Sequence, residues 1–69
     1  MSKADEMFEE LGYINHFEVS NAEVFKKGCR NYFRQIAFNK TTKSVMVNYY
    51  LSMQELKAIN EKCKELNWL

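Results

Sequence analysis

Tyr32-Phe33-Arg34-Gln35-Ile36-Ala37-Phe38, then Asn39-Lys40-Thr41-Thr42-Lys43, then Ser44-Val45-Met46-Val47-Asn48-Tyr49-Tyr50: two runs of β-forming residues enclose a polar stretch of hairpin length. In the second run Val45, Val47 and Tyr49 alternate with Ser44, Met46 and Asn48, the period of a strand with one face covered. Ile36 and Phe38 are the matching inward residues of the first run. The same alternation carries Arg34 inward, so either Arg34 sits at the sheet margin with its stem over apolar surface, or a bulge changes the parity.

Upstream, Ile14–Val19 and Ala22–Lys27 supply one or two further strands, separated by a turn at Ser20-Asn21, and Gly28 allows a bend or bulge before the hairpin. Helices flank the β region. Ala4, Met7, Phe8 and Leu11 share one stripe, Ser2 is placed to cap it, and Gly12 stands where a left-handed terminator is wanted. Ser52-Met53-Gln54-Glu55 reads as a capping box, with Leu51 and Leu56 placed as a staple across it. Leu56, Ile59, Cys63 and Leu66 form the expected buried stripe, with Asn60 on the same side, and Asn67 takes the terminating role of Gly12. The expected fold is therefore a single α+β domain over residues 1–69: a helix, an antiparallel meander of three or four strands, and a second helix, with both helices on one face of the sheet.

Sixty-nine residues leave room for one thin core. An apolar fraction of 46% with 14% aromatics fits a globular chain rather than a disordered one. No apolar run has membrane-span length and no signal peptide opens the chain, so the cytosol is the expected location, which the resemblance given below would make that of a bacterial host cell. Cys29 and Cys63 are far apart and read as free thiols in a reducing compartment.

Met7-Phe8-Glu9-Glu10-Leu11-Gly12-Tyr13 and the segment Ser52-Met53-Gln54-Glu55-Leu56-Lys57-Ala58-Ile59-Asn60-Glu61-Lys62-Cys63 resemble small phage- and prophage-encoded proteins of Gram-positive bacteria. The resemblance covers about half of the chain, at its two ends. It implies a helix, β-meander, helix fold and a phage accessory role, and it carries no catalytic residue.

Enzymatic chemistry finds little support. A zinc site needs about four close-spaced ligands, and one His (His16) with two distant Cys does not supply that spacing. Cys29, beside Lys26, Lys27 and Arg30, is the one place for a reactive thiol, with a small residue at a strand edge as the simpler reading. Glu9 and Glu10 do not share a helix face, and Asp5 with Glu9 is explained by a solvated acidic face. Two glycines make no phosphate loop. The expectation is a non-enzymatic protein with no metal and no cofactor.

Charge and exposed apolar surface remain. Residues 1–25 hold one Lys against six carboxylates, a net of −5, whereas residues 26–51 hold Lys26, Lys27, Arg30, Arg34, Lys40 and Lys43 with no acid, a net of +6. Tyr32, Phe33, Tyr49 and Tyr50 interleave that block, the combination used to bind single-stranded nucleic acid. Alternation also places Phe33, Ala37, Met46 and Tyr50 on the face opposite Ile36 and Phe38, where exposed apolar surface would mark a protein partner or a second copy of the chain. Protein binding is the primary expectation, and nucleic-acid binding the alternative.

Overall fold

The computed structural model describes residues 2–29 and 32–69, with the Cys29 side chain left aside. The order is α1 (Lys3–Glu10), β1 (Asn15–Val19), β2 (Ala22–Cys29), β3 (Tyr32–Asn39), β4 (Ser44–Val47) and α2 (Met53–Glu65). This is an α+β chain with four antiparallel strands in one open sheet, in the order β1-β2-β3-β4. Residues 1–12 and 51–69 form one compact unit and residues 13–50 another. Among the described residues no helix is long and apolar enough to cross a membrane.

The helical unit is an antiparallel pair. The start of α1 meets the end of α2: the Ala4 amide donates to Glu65 Oε2 at 3.0 Å, and Lys62 Nζ lies 3.2 Å from Asp5 Oδ1. Glu65 thus satisfies an amide that the first turn of α1 cannot bond internally, and its negative charge suits the positive end of that helix. At the other end, Met7, Glu10 and Leu11 border a hollow shared with Gln54 and Lys57. Both helices are capped as their residues dictate. The Asp5 amide donates to Ser2 Oγ (3.1 Å). The Glu55 amide donates to Ser52 Oγ (3.1 Å), and the Ser52 amide returns a bond to Glu55 Oε1 (2.7 Å). Gly12 and Asn67 both adopt positive φ, +97° and +63°. After α2 the Trp68 amide donates to the Cys63 carbonyl (2.8 Å) and that of Asn67 to Lys64 (3.0 Å), a complete Schellman termination.

The buried face of α2 differs from the expected stripe. Glu55, Ala58, Ile59, Lys62 and Cys63 are buried, whereas Leu56 is 46% exposed and Asn60 is exposed. Ile59 and Cys63 keep their expected places, and the buried stripe extends from them to Glu55, Ala58 and Lys62 instead of to Leu56. Glu55 is occupied by the cap and Lys62 by Asp5, so both enter the interior with partners. Asn60 is therefore not the buried backbone-binding residue that its spacing suggests.

In the sheet unit, β2 and β3 pair without interruption from Ala22 opposite Asn39 to Cys29 opposite Tyr32. Gly28 makes this close approach feasible. Its φ is +94°, and a Cβ there would lie 2.3 Å from the Tyr32 carbonyl oxygen. No bulge intervenes, so Arg34 keeps the parity of Ile36 and Phe38. It escapes burial by lying beyond the last β3–β4 pair, Ile36 opposite Val47, where its guanidinium rests 4.1 Å from the centre of the Tyr49 ring. The margin, rather than a bulge, resolves the conflict.

Phe25, Ile36 and Phe38 lie side by side on one face at 1%, 1% and 0% exposure, and the Phe25 and Phe38 rings meet edge to face at 5.8 Å. Phe8 in the helical unit is equally buried. Each such Phe contributes about 1.5–3 kcal/mol relative to exposure. These are large terms for a chain whose net stability is of order 3–10 kcal/mol by size.

Candidate functional site

The register sorts the sheet's side chains into two faces. The Phe25 face carries His16 and Glu18 from β1, Glu23 and Lys27 from β2, Arg34, Ile36 and Phe38 from β3, and Val45 and Val47 from β4. Its polar members are matched. The His16 ring stacks on Phe25 (4.1 Å between centroids, 16° apart) and its Nε2 lies 2.5 Å from Glu23 Oε2. Glu18, directly opposite Glu23, is held by Lys40 at 3.2 Å. Lys27 lies over the Tyr13 ring at 4.8 Å.

The opposite face is different. Phe17 pairs with Val24, Val24 with Ala37, and Ala37 with Met46, so one apolar row crosses all four strands. Val24 and Ala37 form its buried floor, while Phe17 and Met46 stand at its ends with 42% and 64% exposure. Val19, further along the same face of β1, is 54% exposed. Phe33 joins this surface half-buried, with Lys26 Nζ 4.2 Å over its ring.

Of the four residues expected at a partner surface, Phe33, Ala37 and Met46 lie on this face: Ala37 and Met46 are cross-strand neighbours, and Phe33 stands four residues away along β3, beyond Gln35. Ala37 serves as floor rather than contact. Tyr50 lies past the end of β4, where alternation no longer reaches, and is 93% exposed with its ring edge-on to Tyr49. Phe17 and Val19 also belong to the surface; from sequence alone, five residues of mixed character do not reveal which face of β1 continues the Val24 row.

The basic residues do not form one tract. Lys26 and Lys27 point to opposite faces, Arg34 shares a face with Lys27, and Lys40 and Lys43 sit in the β3–β4 turn, roughly 17 Å away along the strands. Lys40 is engaged by Glu18. Arg30 and the Cys29 side chain lie outside the described residues. A smaller group does assemble: Tyr32, Phe33, Arg34, Asn48 and Tyr49 line a shallow hollow of about 380 Å³, with Tyr32 89% exposed.

Asn48 builds that end of the sheet. Its Oδ1 accepts from the Gln35 amide (2.7 Å) and its Nδ2 donates to the Phe33 carbonyl (3.2 Å). One side-chain amide thereby takes the place of the next backbone unit of β4, and the strand can end at Val47 without abandoning the edge of β3.

The helical unit has an apolar hollow of its own. Met53, Leu56, Ile59, Asn60 and Cys63 line a volume of about 460 Å³ along α2, with Met53 65% exposed. Cys63 is buried at its base, and burial pushes its thiol above the ordinary value, opposite to what a nucleophile needs. No protein-family model, curated protein or solved structure matches the chain.

Proposed function

We propose that this chain is a non-enzymatic accessory protein that works by docking another protein on the Val24 face of its sheet. One observation carries the reading: the Phe17–Val24–Ala37–Met46 row is continuous across the sheet and open at both ends. Apolar rows of this kind bind by losing water, and their buried floor gives a partner a firm base. Phe33 and Met46 are the anchors, Ala37 is the floor, and Lys26 supplies a cation at the rim. The likeness of the chain's ends to phage- and prophage-encoded proteins suggests a host protein as partner.

The test compares wild type with Met46→Glu for retention of a protein from nuclease-treated Gram-positive lysate. Met46→Glu should keep the fold, since the side chain is largely exposed, and lose the retained protein. Equal retention by both forms refutes the docking face.

A second reading rests on the hollow between Tyr32 and Tyr49. Cations laid over rings beside exposed Tyr32 and Tyr50 are parts that single-stranded nucleic acid can use, with bases stacking on tyrosines and Arg34 reaching phosphate. Anisotropy of a labelled single strand at low and moderate salt tests it. A salt-dependent rise that Tyr50→Ala weakens supports the reading, and a flat trace at both salts removes it.

A further inference from the structure

We propose that two copies of the chain join through the free edge of β1, antiparallel about a two-fold axis at Phe17, so that two four-stranded sheets become one of eight. This goes beyond the docking face, because it rests on a strand edge rather than a surface. Among the described residues β1 has a strand neighbour on one side only, and all five of its residues are exposed. Exposed edges are usually guarded by charged side chains, Lys above all, by Pro or by a bulge, and β1 carries one such charge, Glu18. Asn15-His16-Phe17-Glu18-Val19 has no Lys or Pro and pairs with β2 in unbroken register.

The hydrogen-bonding groups are set for pairing. Ser20-Asn21 is a two-residue loop, which makes Val19 and Ala22 a closely bonded pair. Bonded and non-bonded pairs alternate from there, so Asn15, Phe17 and Val19 direct their amides and carbonyls toward β2. Those of His16 and Glu18 point to the open side.

The register follows from parity and charge. A two-fold axis normal to the sheet keeps each face on its own side only if opposed residues have the same parity, which allows axes at His16, Phe17 or Glu18. An axis at Glu18 opposes carboxylate to carboxylate, and one at His16 opposes imidazole to imidazole. The axis at Phe17 sets His16 against Glu18 of the second copy, twice, in the bonded positions. At the centre the two Phe17 rings meet in a non-bonded pair, where side chains stand closest. The Phe17–Val24–Ala37–Met46 row then runs unbroken into its copy.

Sedimentation equilibrium from micromolar to millimolar chain tests this with wild type, Phe17→Lys, Phe17→Glu and a mixture of the two variants. Wild type should dimerise. Each variant alone should associate at least about tenfold more weakly, a loss of about 1.4 kcal/mol, because like charges meet at the axis, and the mixture should recover the dimer. Amide exchange on wild type needs no substitution: His16 and Glu18 should gain protection with concentration while Phe17, already bonded to β2, does not. A strict monomer at millimolar concentration, a dimer indifferent to both variants, or protection that misses His16 and Glu18 overturns the proposal. Met46→Glu lies away from the edge and should dimerise as wild type, which separates this result from the fate of the docking face.

Discussion

Replacing Gly28 with Ala should remove much of the chain's stability, and the magnitude follows from two features. The first is the backbone: φ at Gly28 is +94°, a region costing an L-residue roughly 1–2 kcal/mol. The second is space. The new Cβ would lie 2.3 Å from the Tyr32 carbonyl oxygen and 3.0 Å from Phe33 Cα, both backbone atoms of the adjacent strand. Neither can swing aside, so β2 and β3 must part locally. That loosens the ladder around Gly28–Phe33 and Cys29–Tyr32, at about 1 kcal/mol per bond lost. The sum is about 2–4 kcal/mol, against roughly 3–10 kcal/mol for a chain of this length. At about 4–8 °C per kcal/mol the melting temperature should fall by roughly 10–30 °C. Urea and thermal unfolding followed by circular dichroism measure both. A variant within about 0.5 kcal/mol of wild type refutes the close approach of the two strands at Gly28.

Lys43 holds a positive φ of 55° without being glycine, so Lys43→Gly should raise stability by about 1 kcal/mol in urea unfolding. Asn48→Ala should cost about 1 kcal/mol, because two bonds to β3 are lost at a site water can reach. Asn48→Asp should cost more than Ala despite its similar shape, since a carboxylate keeps the bond from Gln35 but turns an acceptor toward the Phe33 carbonyl; chemical denaturation of the pair checks the order. In a Cys29→Ser background, Cys63 should react slowly with a thiol reagent at mildly alkaline pH and quickly in urea, because burial holds back its thiolate.

The helix ends were legible from sequence because capping is local chemistry. Ser2, Ser52 with Glu55, Gly12 and Asn67 all act within a turn of their position in the chain. The hairpin was legible for the same reason, since Asn39 accepts from the amides of Thr41 and Thr42 and so shapes its own turn. What sequence could not reveal depends on partners distant in the chain. The buried face of α2 turns on Lys62 finding Asp5, 57 residues away. The end of β4 turns on Asn48 reaching across to Gln35 and Phe33, so alternation could not be extended to Tyr50. The basic block dispersed because neighbouring strand residues such as Lys26 and Lys27 face opposite ways, and because Glu18 on β1 takes Lys40. The apolar face was half visible: Phe33, Ala37 and Met46 came from one hairpin, whereas Phe17 needed the β1–β2 register.

Methionine methyl groups offer the most direct probe of whether the sheet is the meeting surface. Met46 reports on the Phe17–Met46 row and Met53 on the hollow along α2. With the protein retained from lysate added to a chain labelled at its methionine methyls, the Met46 resonance should shift or broaden while that of Met53 stays put. Movement of Met53 with Met46 unchanged would place the encounter on the second helix and contradict the account.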